Sequence, residues 1–277
     1  MPMKITILCE NSVGPLAGTL GEHGFAALLE TGNGSLLFDT GQGETLLPNA
    51  RRMNKNLHEV RTVALSHGHY DHTGGLWPLL RNCGGKEIHA HPDLFLNRYR
   101  LKDTGEKLSI GMPYRQEFLE GLGGRFIFNR EWREIHPDVF LTGQVPRRNN
   151  FEKGESGLFC STAGDCFADT HPDDQSLVIR TGKGLILLLG CCHAGIINTL
   201  EHARERSGTE EIYAVMGGMH LSFCGQGQID ETVKTLRRFA IRKLMGSHCT
   251  GFSASARLAR EFPGVFHPGQ VGFTLEG

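Results

Sequence analysis

Ser66-His67-Gly68-His69-Tyr70-Asp71-His72 follows directly on Arg61-Thr62-Val63-Ala64-Leu65, a short run with the composition of a strand. Between positions 67 and 72 the chain places three imidazoles and a carboxylate. Burying such a set is costly unless each polar group finds a partner. A divalent cation is a partner they can share, and a mixed His/Asp set suits zinc, iron or manganese. Gly68 and Gly74-Gly75 allow the sharp turns that convergence of His67, His69, Asp71 and His72 requires. The competing reading, a chance surface cluster, leaves that density of ligand types without a cause. The stretch reads as the metal loop of a metalloprotein.

Outward from this loop, strand and helix patterns interleave. On the N-terminal side, strands are expected at 4–9, 25–30, 35–39 and 62–66, with glycine-rich turns such as Thr31-Gly32-Asn33-Gly34 and a helix over 43–53. A short helix over 76–82 and a strand at 87–90 follow the loop. The C-terminal side repeats the theme. A hairpin turns at Thr181-Gly182-Lys183-Gly184, with strands at 176–180 and 185–189. Helices at 198–207 and 229–240 then alternate with strands at 212–216 and 243–245. Alternation of this kind in both halves predicts a layered α/β fold. Residues 92–165 are weakly patterned and rich in Arg, Lys and Gly, as expected of a lid or substrate-loop insertion in a single domain spanning 1–277.

Three further histidines stand just past apolar strands and small-residue turns. His193 follows Leu185-Ile186-Leu187-Leu188-Leu189-Gly190-Cys191-Cys192, His220 follows Gly217-Gly218-Met219, and His248 follows Gly246-Ser247. That is the arrangement expected at the rim of a sheet. Each alone is more often a structural histidine; together with the loop they read as candidate ligands.

Composition narrows the function classes. With 39% hydrophobic and 21% charged residues the chain is globular rather than disordered. A net charge of -1 offers no bulk attraction to nucleic acid or an anionic membrane. The apolar run 185–189 is far too short to span a bilayer. The N-terminal residues run straight into a strand, so no export signal and a cytoplasmic protein are expected. None of the eight cysteines shows Cys-x-x-Cys spacing, and free thiols are the expectation.

The order His-x-His-x-Asp-His, followed by His193 and His248 after later strands, resembles the metallo-β-lactamase superfamily. It is most similar to the branch of class II metal-dependent hydrolases related to a dihydropterin–ribofuranosylaminobenzene phosphate synthase. Supporting segments are Leu37-Phe38-Asp39-Thr40-Gly41, Thr142-Gly143-Gln144-Val145-Pro146-Arg147, Asp173-Asp174-Gln175-Ser176-Leu177 and Gly190-Cys191-Cys192-His193-Ala194-Gly195-Ile196. Gly217-Gly218-Met219-His220-Leu221 and His248-Cys249-Thr250-Gly251 complete them. The resemblance implies a four-layer αββα sandwich with two divalent metals at one edge, zinc first, iron or manganese as alternatives. It implies that His67, His69 and His193 hold one ion and Asp71, His72 and His248 the other. It makes Asp39 a carboxylate that orients a ligand histidine, against the alternative of a simple turn cap beside Gly41.

This chain departs from the superfamily in one respect. Where many members carry an aspartate bridging the ions, it offers His220, and an imidazole cannot bridge as a carboxylate does. His220 therefore binds one ion or stands by as a proton donor or substrate contact; Asp165 or Asp169 are alternative bridges. A metal-bound hydroxide attacking an ester, amide, thioester or phosphoester is the expected chemistry. Two cations less one carboxylate and one hydroxide leave a charge of about +2, which favours a small anionic substrate, phosphorylated compounds among the candidates. Lys102, Lys107, Arg115, Arg147 and Arg148 are candidate contacts for it, and His23, in the Glu22-His23-Gly24 loop, is a candidate general acid. The alternatives are pterinylmethyl transfer with release of pyrophosphate, and a non-catalytic metal-dependent sensor. No nucleic acid or membrane partner is expected.

Overall fold

In the computed structural model, which describes residues 3–16, 18–162 and 165–277, alternation along the strands decides which side chains meet. Ile5, Ile7, Ala27, Leu29, Leu36 and Phe38 point one way from the first sheet and pack against Ile186, Leu188, Ala214 and Met216 of the second. Their neighbours Leu8, Leu28, Leu37 and Val63 point the other way, onto Leu46 and Ala50 of the helix Leu46–Arg52 and Leu76, Leu79 and Leu80 of the helix Leu76–Cys83. From the second sheet, Leu185, Leu187, Leu189, Val215 and Leu244 meet the helices Ile196–Ser207, Gln226–Leu236 and Phe252–Glu261. The layers are thus helix, sheet, sheet, helix, the expected αββα sandwich. Strand Gly184–Leu189 is buried on both faces, which is why it reads as an unbroken apolar run. Each such leucine contributes about 1.5–3 kcal/mol by leaving water.

Among the described residues the first sheet runs Thr274–Glu276, Lys4–Cys9, Ala26–Thr31, Gly34–Phe38, Thr62–Ala64, Lys86–Ala90, Gly124–Phe128. The second runs Phe266–Pro268, Lys243–Ser247, Ile212–Gly218, Gly184–Leu189, Leu177–Thr181, Val139–Leu141, Arg133–His136. Strands Gly184–Leu189, Ile212–Gly218 and Lys243–Ser247 are parallel neighbours linked through helices, as are Gly34–Phe38, Thr62–Ala64 and Lys86–Ala90. The loops that carry His67, His193, His220 and His248 all leave the C-terminal ends of such strands, where the two sheets share an edge.

Residues 92–165 are more regular than expected. Gly124–Phe128 extends the first sheet, and Arg133–His136 and Val139–Leu141 extend the second. Asn97–Leu101, Lys107–Ser109, Leu158–Thr162 and Asp165–Ala168 form a separate four-stranded sheet. Its outer strands are exposed along their whole length, so no burial imposes the alternation by which strands are recognised. Positions 163 and 164 of the expected insertion lie outside the described residues.

Candidate metal centre

His67, His69 and His193 meet although 126 positions separate the first from the last. His67 Nε2 stands 3.0 Å from His69 Nδ1 and 3.3 Å from His193 Nε2. Nitrogens bound at about 2.0–2.1 Å to a tetrahedral zinc would sit about 3.3 Å apart, so the spacing fits a shared cation. Burial, and then the neighbouring imidazoles, hold all three pKa values well below the ordinary histidine value. They are neutral bases at pH 7, as ligation requires. Of their remaining ring nitrogens, His69 Nε2 and His193 Nδ1 are buried without a hydrogen-bond partner. Burial also pushes His171 down to about 3; its ring stacks on His193 at 3.9 Å.

The second group forms around Asp71. Its Oδ2 lies 3.3 Å from His248 Nε2, 3.9 Å from His72 Nε2 and 3.1 Å from His23 Nε2. Burial opposes the charge on Asp71, but the His72 charge and hydrogen bonds from His23 and His248 hold its pKa well below the carboxylate norm. Burial likewise opposes charge on His72, yet Asp39 and Asp71 raise its pKa to about 9. His23 is half exposed, and its pKa is raised by the hydrogen bond to Asp71. Its ring lies 4.8 Å from that of His248.

Asp39 is fully buried and ties the two groups together. It accepts from His72 Nδ1 at 2.7 Å, from the Ser66 amide at 2.7 Å and from Ser66 Oγ at 2.7 Å. Ser66 Oγ in turn lies 2.8 Å from His67 Nδ1. One carboxylate therefore orients a ring in each group, a larger role than a turn cap. Gly190 makes room for it: a Cβ there would overlap Ser66 Oγ.

Gly68 is needed for a different reason from the expected sharp turn. A Cβ on it would collide with the Leu94 carbonyl oxygen and the Arg98 guanidinium. Arg98 is buried between Asp169 and Asp173, 2.8 Å from each, and Asp173 accepts the Gly68 amide at 2.8 Å. This ion network pins the loop between His67 and His69. Asp39, His171, Cys192, His220 and His248 all adopt φ between 49° and 61°, a left-handed backbone that non-glycine residues hold only where tertiary contacts enforce it.

Both groups open into a cavity of about 280 Å³. Its walls include Tyr70, Leu108, Ile110, Leu158 and Phe223, with Arg100, Glu155 and His220 as polar members. Glu155 joins the other two, 2.5 Å from Arg100 Nη2 and 3.1 Å from His220 Nε2. His220 is buried; burial works against its charge, but the nearby Cys249 sulfur and the hydrogen bond to Glu155 raise its pKa to about 9. His220 Nδ1 has no partner, and the ring lies 4.3 Å from that of His193.

The alternative bridges are excluded by position. Asp169 is committed to Arg98, and Asp165 sits on an exposed edge strand. The expected basic contacts also lie elsewhere. Lys102 pairs with Glu106, Lys107 covers the Tyr99 ring, and Arg115 is exposed at the start of the helix Gln116–Gly121. Arg147 donates to the Glu152 and Thr170 carbonyls, and Arg148 pairs with Glu205. None of them lines the cavity; Arg100 does. Arg100, Glu155 and His171 escaped the sequence reading because they come from the weakly patterned segment or its flank, where no motif marks them.

Comparison with known proteins identifies the family and the fold. The family described as the metallo-beta-lactamase superfamily matches residues 20–146. The chain is 32% identical to a Methanocaldococcus jannaschii 7,8-dihydropterin-6-methyl-4-(beta-D-ribofuranosyl)-aminobenzene-5'-phosphate synthase, covering 97% of this chain and 96% of that protein. The crystal structure of Tm1679, a metal-dependent hydrolase of the beta-lactamase superfamily, superposes with a TM-score of 0.85 at 30% identity, covering 99% of both chains. Zn(2+)-bound PqqB from Methylobacterium extorquens has a TM-score of 0.57 at 13% identity over 98% of this chain and 99% of that one, a likeness of fold alone. Among the described residues no helix is long and apolar enough to cross a membrane.

Proposed function

This chain belongs to the metallo-β-lactamase superfamily and is a divalent-metal-binding enzyme, and from that premise we propose that it hydrolyses a small anionic substrate at a pair of zinc ions. The observation that carries the proposal is the cavity shared by the two ligand groups, with His220 and Glu155 on its wall. His67, His69 and His193 would hold one ion, and Asp71, His72 and His248 the other. When bound, the ions supply Lewis acidity and lower the pKa of a water.

The chain's own residues do the rest. Glu155 orients His220 through Nε2, which leaves Nδ1 free to hold a proton for the departing group. His23, hydrogen-bonded to Asp71, stands at the opposite, exposed side as a second proton carrier. Two divalent cations outweigh the Asp71 carboxylate, so the floor of the cavity attracts an anion. Leu108, Ile110, Leu158 and Phe223 suit an apolar or flat body attached to that anionic group. The four-stranded sheet that supplies Arg100, Leu108 and Leu158 acts as the substrate wall of the enzyme.

A second reading, pterinylmethyl transfer with release of pyrophosphate, is favoured by the synthase at 32% identity. One assay separates the two. Zinc-loaded protein is given phosphoesters, and separately a pterinylmethyl pyrophosphate with and without a ribosylaminobenzene phosphate. Phosphoester cleavage by water supports hydrolysis; pyrophosphate release that depends on the arylamine supports transfer and overturns the first reading. His220→Ala is expected to lower turnover about 10²–10⁴-fold with metal content unchanged.

A further inference from the structure

Cys191 lies at the end of Gly184–Leu189, where the left-handed turn at Cys192 sends alternate side chains to opposite sides. Cys192 points outward, its Sγ 3.3 Å from Thr199 Oγ1 in the helix Ile196–Ser207. Cys191 and His193 both point into the cavity. The Cys191 sulfur is 3.2 Å from His72 Nε2, a candidate ligand of the second ion. It also lies within 4.8 Å of donor atoms of His67 and His193 from the first group and of His248 from the second. Cys249 also lines the cavity, within 4.8 Å of donor atoms of Cys191 and of His248 in the second group. Its Sγ is held by the backbone, donating to the Cys191 carbonyl at 3.4 Å and accepting the His220 amide at 3.3 Å, whereas Cys191 reaches donor atoms of both groups.

We propose that the Cys191 thiolate is the ligand common to both ions. This rests on the dinuclear reading above and adds the residue that joins its halves. Neither Asp165 nor Asp169 reaches the centre, His220 turns its Nε2 to Glu155, and Asp39 is engaged by His72 Nδ1 and Ser66 behind the rings. A sulfur bridge satisfies the geometry: a thiolate has lone pairs for two cations, and zinc–sulfur bonds of about 2.3 Å reach from a donor placed between two nitrogen sets. Binding costs the thiol one proton, released to solvent, and needs no oxidant. It also sets the charge: two divalent ions, Asp71 and Cys191 leave about +2 before any water ionises.

Cobalt(II) tests this directly, because a thiolate ligand adds a sulfur-to-metal charge-transfer absorption that histidine and carboxylate ligands lack. Cobalt is added stepwise to chelator-treated protein and its spectrum and stoichiometry are followed. In the native sequence the absorption should grow through both equivalents. In Cys191→Ser it should be absent while cobalt still binds, with the second equivalent held at least about tenfold more weakly. Cys249→Ser should keep it. Cys191→Asp, which restores a bridging anion, covers the case in which the serine variant does not fold: it should bind two ions without the absorption. Absorption that survives in Cys191→Ser or Cys191→Asp, or that stops growing after one equivalent, overturns the shared thiolate. Two ions bound with no sulfur absorption sink this proposal and leave the enzyme's dinuclear reading standing; no ion bound sinks both.

Discussion

The two candidate ligand groups of this centre stand side by side, the rings of His67 and His72 4.3 Å apart, yet they prepare for a cation in opposite ways. His67, His69 and His193 are kept neutral by burial and by one another. Asp71, His72 and His248 sit among carboxylates, and His72, held by Asp39 and Asp71, carries a proton with a pKa of about 9. The first group is an imidazole set waiting with free lone pairs; the second is an ion pair that a cation must break open. The lesson is that burial among other imidazoles arms a nitrogen ligand, whereas a carboxylate nearby both attracts the metal and competes with it through the proton it stabilises.

That contrast can be attacked experimentally, beginning where the effect is largest. His67→Ala with His69→Ala should abolish ion binding at the first group and reduce turnover to background, while elemental analysis still finds metal at the second. Loss of both ions together would mean that the groups are not separable. Next, Arg98→Ala leaves Asp169 and Asp173 buried beside an empty space, and removing one member of a buried ion network costs about 3–5 kcal/mol. Denaturant unfolding measures that loss, and retained ions should be depleted first at the His67 group, whose loop the network holds.

Asp39→Asn comes third. It keeps the size of the side chain but removes the charge that orients His72 and, through Ser66, His67. A fall of about 10–100-fold in metal affinity is expected, greater at the second group because only there is the contact direct. An equal loss at both would show that Ser66 transmits the orientation undiminished. Counted per unit, the smallest effect is that of pH. The proton favours charged His72, so acid competes with the cation there, and affinity at the second group should fall by up to about tenfold for each pH unit below about 9. At the first group no such slope is expected until well below pH 6.5, since its histidines are already neutral. Metal retained per chain, measured across this range, should therefore drop in two separate steps, with the second group emptied first.

The fold was legible because its strands and helices bury clear faces. The alternation in Lys4–Cys9 and the unbroken run in Gly184–Leu189 both report what lies on either side of a sheet. The small sheet was not legible, since Lys107–Ser109 and Asp165–Ala168 are exposed throughout and their residues answer to no packing constraint. The same division runs through the centre. His67, His69, Asp71 and His72 announce themselves by density, and His193, His220 and His248 by following apolar strands. Arg100, Glu155 and His171 announce nothing. The expected basic residues failed as cavity contacts because net positive charge in a segment says nothing of the direction in which a strand points it; Arg100 faces the cavity, while Lys102, two positions on in the same direction of chain, pairs with Glu106 beyond the strand's end.

By itself the order of residues determined the layered architecture and picked out the candidate metal loop, because hydrophobic periodicity and ligand spacing are local properties written along the chain. Only the tertiary structure decided that Cys191 stands between the two groups, that Glu155 holds His220, and that Asp39 serves a ring in each. These are encounters among strand ends brought to one edge by parallel crossovers, and nothing short of the packed sheets brings such distant side chains within bonding reach.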